Sequence, residues 1–210
     1  MSAKSTAAFV VVSLLGATGM LAQTEGIKEA DRFAKSIETT SLSVSDARTK
    51  IQGALDSYNA LVKGDSQDMK GDYKKLQKAE KDMTSQVADT RKTVADMDKQ
   101  AGVYFATRAD ALSQIQDPSM QNQAKSRLND SKQSYDKVRA SLKGAGDALN
   151  PFAKDLSDHI KYLGAELTPA SAASLKPEGE KLNKQAATLF KQTDTALKTS
   201  TDYLNTLKSK

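Results

Sequence analysis

The sequence predicts an all-α protein, an elongated antiparallel helical bundle or coiled-coil hairpin with about four helices. Three observations lead there. The 210 residues include four prolines, 5% aromatic residues and no tryptophan, against an abundance of Ala, Lys, Asp, Gln, Ser and Leu, a mixture that favours helix over sheet. Apolar residues recur at steps of three and four through nearly the whole chain after residue 26. The breaks between these stripes are short and carry turn chemistry: Gly64-Asp65-Ser66, Asp117-Pro118-Ser119 and Thr168-Pro169. Residues 23–210 therefore read as a single elongated helical domain.

Residues 1–22 read differently. Lys4 supplies a positive charge, Ala7 to Leu21 is an apolar run broken only by small residues, and Ala22-Gln23-Thr24-Glu25 returns to polarity. That is the pattern of a secretory signal peptide, with cleavage after Ala22 or at the small-x-small site Ala17-Thr18-Gly19. The alternatives are an uncleaved anchor and a helix packed on the domain. A helix over Ala7–Ala22 would span about 24 Å, short of the roughly 30 Å hydrocarbon core. The chain contains no cysteine. Disulfides, thiolate metal sites and cysteine nucleophiles are thereby excluded. The expected location is exported, periplasmic or cell-envelope associated, and, if the sequence is complete, not that of a lipoprotein.

The first stripe runs Ile27, Ala30, Ala34, Ile37, Val44, Ala47, Ile51, Leu55, Tyr58 and Val62. Thr39 to Ser43 is poor helix material and Ser45 can cap a restart, so two helices are expected here, followed by a stop and a new N-cap at Gly64-Asp65-Ser66. The second segment, residues 67–115, is the most regular. Met69, Tyr73, Leu76, Glu80, Met83, Val87, Thr90, Val94, Met97 and Ala101 hold a seven-residue repeat, the seam of a coiled coil. Two steps of four at Ala101-Phe105-Ala109 then make a stutter.

The third stripe runs from Met120 through Leu128, Tyr135, Leu149 and Ile160 to Leu167. Its short connection to the second predicts a helical hairpin, and its own steps of four at Met120-Ala124-Leu128 match the stutter as in two helices packed side by side. Gly144, Gly146 and Asn150-Pro151 predict a kink or a break with Asn150 as a cap. The last stripe, Leu182 to Leu207, is widened by Phe190, Leu197 and Leu204, as in a helix with more than one neighbour. Polar members of the seams (Glu80, Thr90, Ser131, Thr193) are expected to fix register.

The order of these pieces resembles a known family. Ala47-Arg48 through Asp72-Tyr73-Lys74-Lys75-Leu76, then Leu149-Asn150-Pro151-Phe152 through Asp158-His159-Ile160-Lys161-Tyr162-Leu163 to Ala172-Ala173-Ser174-Leu175, is similar to an uncharacterised bacterial exported helical family, the domain of unknown function 2959. The resemblance implies export and an all-helical fold. Its members are often lipoproteins, a pattern from which this chain departs, and it brings no catalytic residues to transfer.

Chemistry is sparse. His159 is the only histidine, with Asp155 and Asp158 before it, and no Glu-x-x-His pair of the kind a helical di-iron site requires. Its expected role is a partly buried residue beside Leu156, Ile160 and Leu163. No glycine-rich phosphate loop or nucleophile elbow occurs. Carboxylate pairs such as Asp96 with Asp98 and Asp155 with Asp158 read as solvated helix surface. Lys70, Lys74, Lys78 and Lys81 form one basic stripe that suits an anionic membrane surface, although Asp72, Glu80 and Asp82 nearby suit a mixed-charge exterior instead. The net charge of +5 is mild and spread out, which argues against nucleic acid. The expectation is a non-enzymatic exported spacer or scaffold without metal, cofactor or small-molecule substrate, working with a protein partner or by self-association. The alternative is a peripheral membrane-binding or membrane-shaping protein that uses the lysine stripe.

Overall fold

The computed structural model describes residues 15–63 and 65–208, with side chains described from Gly26 onward. Residues 1–14, the first part of the expected signal segment, lie outside the described residues. Five helices follow in order: α1 (Leu15–Val62), α2 (Met69–Ser113), α3 (Pro118–Ala165), the short α4 (Pro169–Ser174) and α5 (Lys176–Lys208). Four are long; α1 and α3 have 48 residues each, or about 72 Å of helix. The bundle runs up, down, up, down, and α4 turns the chain from α3 into α5.

The packing is unequal. The most extensive contacts join α1 to α2 and α3 to α5; α1 also meets α5, and the contact of α2 with α3 is the smallest of these four neighbouring pairs. The expected antiparallel hairpin of the second and third segments is present, but it is the most loosely packed of these neighbouring pairs. The turn at Asp117 does reverse the chain, with Asp117 accepting from the Met120 amide and Pro118 opening the helix. However, α2 gives most of its contact to α1, and seam residue Tyr73 reaches α3. The matched steps of four near the turn are not a packed seam either, since Met120 is 63% exposed.

Two helix breaks that the sequence offered are absent for a common reason, the restart at Ser45 and the break, as distinct from the kink, at Asn150-Pro151. α1 runs through Thr39–Ser43 unbroken, because α2 satisfies the Thr40 and Ser43 hydroxyls, and the Ser41 hydroxyl bonds back to the Ile37 carbonyl of the preceding turn. Thr40 Oγ1 donates to the Thr93 carbonyl at 3.1 Å, and the Ser43 and Thr90 hydroxyls lie 2.9 Å apart. Likewise α3 carries Pro151 in its interior without a break, and Asn150 is a helical residue, not a cap. Phe152, Leu156 and Ile160 are buried just beyond, so apolar packing holds the turn that proline weakens. The cap of α2 is Asp68, which accepts from the Gly71 amide, not Ser66, whose hydroxyl binds Asp72.

The core is two clusters. One gathers residues 51–62 of α1 with Leu76 and Met83 of α2, Leu149 to Leu163 of α3 and Leu182 to Leu189 of α5. The other gathers Phe33, Ile37, Met97, Ala101, Tyr104, Tyr135, Val138, Tyr203 and Leu204. Phe33 is its hub, with ring centroids 5.1 Å from Tyr104, 5.2 Å from Tyr135 and 6.0 Å from Tyr203. Between the clusters lies a polar belt of Thr40, Ser43, Gln86, Thr90 and Thr93.

Of the polar seam positions, Thr90 bonds Ser43 across helices and Ser131 bonds the Tyr203 hydroxyl at 3.0 Å. Thr193 and Glu80 bond only within their own helices. Two outcomes are expected in urea denaturation followed by circular dichroism. Phe33→Ala should lose about 3–5 kcal/mol, since the hub of four rings leaves a cavity. Pro151→Ala should gain about 1–3 kcal/mol, because Pro151 is exposed and its replacement restores a helical hydrogen bond.

Candidate functional site

The lysine stripe lies on the outer face at the start of α2. Lys70, Lys74, Lys78 and Lys81 are all exposed, and none forms an ion pair among the described residues. The neighbouring acids are used elsewhere or stand apart. Asp72 is held by Lys75 at 2.8 Å and by the Ser66 hydroxyl, which together keep its carboxyl below the usual range. Glu80 accepts from Thr84. The stripe covers eleven residues, about 16 Å of helix. Beneath it, Tyr73 turns inward and donates to the Ile160 carbonyl at 3.1 Å, tying α2 to α3. That approach needs Gly164, where a Cβ would stand 2.4 Å from the Tyr73 hydroxyl.

His159 is half-buried beside the lower core, as its position in the stripe suggests. Its ring stacks on Tyr58 with centroids 5.4 Å apart, and Nδ1 is buried without a hydrogen-bond partner. Burial holds the imidazole below its ordinary value of 6.5, against the upward pull of Asp155, Glu178 and Asp158. The Tyr58 hydroxyl is likewise buried and unpartnered, and burial pushes its pKa up. Among the described residues, no group of three or more His, Asp or Glu side chains could hold a metal ion.

Asp98 and Asp155, partly exposed, are more than solvated surface groups, since each bridges two helices. Asp98 accepts from the Tyr135 hydroxyl at 2.5 Å and pairs with Arg139 Nε at 2.9 Å, bridging α2 to α3. Asp155 accepts from Gln185 and pairs with Lys181, bridging α3 to α5 and holding its carboxyl low.

Sequence reasoning missed a groove. Because α2 and α3 meet near both ends but part in the middle, a cavity of about 570 Å³ opens between them. Its floor is Val44, Ala47 and Ile51 of α1 with Leu189 of α5. One wall is Val87, Thr90, Arg91 and Val94; the other is Ala140, Leu142, Ala145 and Gly146. The small residues of α3 were the available signal, but they read as helix interruptions. Phe33 was also absent from the first stripe, although Phe33, Ile37, Thr40 and Val44 follow steps of four, three and four and are all buried.

The sign of the His159 effect can be measured. A folded-state pKa below the unfolded one means that the group's contribution is whole above about pH 6.5 and is lost as pH falls through the lower folded value. The unfolding free energy should therefore decline between pH 7 and pH 5. In His159→Phe, which keeps a ring against Tyr58, that decline should flatten. The losses from Asp155 and Asp158 belong to a lower window, beneath the ordinary carboxylate value of 3.8.

No curated protein and no solved structure matches this chain. A family described as "Protein of unknown function (DUF2959)" matches residues 20–207. Nearly all of the described bundle falls inside that match, and the chain belongs to this family.

Proposed function

We propose that this chain is a non-enzymatic exported structural or interaction protein of the bacterial periplasm or cell envelope, with its bundle acting as a spacer or scaffold. The observation that carries this reading is length held in one register. Helices of 33 to 48 residues run antiparallel and are tied at several levels by Thr40–Thr93, Ser131–Tyr203, Asn59–Asn183 and Asp98–Arg139. Export rests on the signal-like composition of residues 1–22.

In solution a rod of this kind should scatter with a radius of gyration above ~20 Å, whereas a compact globule of the same length would give about 17 Å. Cell fractionation of the tagged protein should recover it outside the cytoplasm, and recovery in the cytosol would overturn export. Photo-crosslinkers at the exposed apolar positions Leu42 and Met120 should trap a second copy or a protein partner. No adduct from either position would count against an interaction role.

The unpaired lysines favour a second reading, contact with an anionic membrane surface. Each lysine near such a surface adds about 1 kcal/mol at physiological salt. The protein should sediment with phosphatidylglycerol vesicles at low salt. Replacing Lys70, Lys74, Lys78 and Lys81 with glutamine should lower the binding constant by two to three orders of magnitude. Salt-independent pelleting, or none, sinks this reading.

A further inference from the structure

We propose that the groove between α2 and α3 binds a single-chain fatty carboxylate, with its tail along the apolar lining and its headgroup at Arg91. The cavity of about 570 Å³ is of the size that small ligands occupy. Its lining is largely aliphatic. The groove is closed at both ends where α2 meets α3: by the Asp98, Tyr135 and Arg139 cluster at one, and by Leu76 and Met83 packed with Phe152 and Leu156 at the other. Its length between Val87 and Asp98 is about 16 Å. A short ligand fits such a space, whereas a chain segment passing through would have to part those contacts.

Charge selects the headgroup. Arg48 pairs with Asp194 and lies over Phe190, Arg139 pairs with Asp98, and Lys143 pairs with Asp147. Arg91 alone among the four cations lining the groove has no anionic partner among the described residues. The Asp98–Arg139 pair fixes where it stands. Arg91 lies seven residues before Asp98 and Gly146 seven after Arg139, so the antiparallel register sets Arg91 across from Gly146, with Lys143 within one turn. Gly146 has open space where a Cβ would be, so nothing blocks the approach to Arg91. Asp136, exposed at the Asp98 end, lies nearly three turns from Arg91 and disfavours an anion there, which orients the ligand. A carboxylate at Arg91, which is exposed at the mouth of the groove, would gain a bidentate guanidinium partner.

Isothermal titration with dodecanoate, kept below its micelle concentration, tests this on the full chain. The expected result is saturable binding at one site per chain. Decanoate should bind more weakly by about sixteenfold, since each buried methylene contributes roughly fourfold. Arg91→Gln should weaken dodecanoate at least tenfold while leaving dodecanol unchanged. Gly146→Leu should abolish binding of both, with its helical signal and melting curve showing that it folds; Ala140→Leu provides a second filled groove. The variant lacking the four stripe lysines should bind like the wild type, which separates this site from the membrane reading.

Binding seen only with micelles, indifference to chain length, or normal binding by a folded Gly146→Leu would overturn the proposal. So would equal affinity for dodecyltrimethylammonium, or a wild-type dimer that Gly146→Leu dissociates, since the groove would then be covered by a second copy.

Discussion

The contact of α1 with α2 decides where the other helices can go. The seven-residue seam of α2, from Met69 to Ala101, has only one face, and α1 takes the larger share of it. What remains for α3 is α5, whose wide apolar face is buried at Leu182, Ala186, Leu189, Ala196 and Tyr203. The two pairs then join through α1 against α5, while α2 and α3 close only near their ends. A hydrophobic seam is non-directional and roughly proportional to area, so it does not by itself choose a register. The hydroxyls of Thr40, Ser43 and Thr90, with the Thr93 carbonyl, supply that choice at mid-length, where a slip of one turn would strand them.

Much of this bundle could be read from spacing alone. The positions of α2, α3 and α5 follow from three-and-four steps and from short turns at Asp117 and Thr168, because a helix must bury a stripe and the stripe leaves a periodic trace. Which stripe faces which is different information. It depends on side-chain volumes summed over two helices, and adjacency in sequence overstated the pairing of α2 with α3. Local propensity misled at Thr39–Ser43 and at Pro151, where contacts from distant residues outweigh the preference of the segment. The stripe of Lys70, Lys74, Lys78 and Lys81 was visible in the sequence; the freedom of all four from ion pairs was not, since it turned on Asp72 choosing Lys75. The groove had no periodic trace at all, being a gap between residues 87–98 and 139–149 set by their register.

The separation of the core into two clusters has an energetic meaning. Each cluster is closed by large side chains, Phe152, Leu156 and Leu163 in one and Phe33, Tyr104 and Tyr135 in the other. Between them the helices are held by hydroxyl bonds and by the walls of the groove, and these contribute less per residue than buried apolar area. The middle of the bundle is thus its softest part, and local opening there would cost less than opening at either end.

α1 begins at Leu15, within the apolar run, and continues without a break to Val62. With no joint between Leu15 and Val62, the first helix is a lever. A tilt of ten degrees at its start displaces a point about 70 Å away by roughly 12 Å, more than the width of a neighbouring helix. Orientation at one end of the molecule is thereby converted into position at the other, without any change in the packing between.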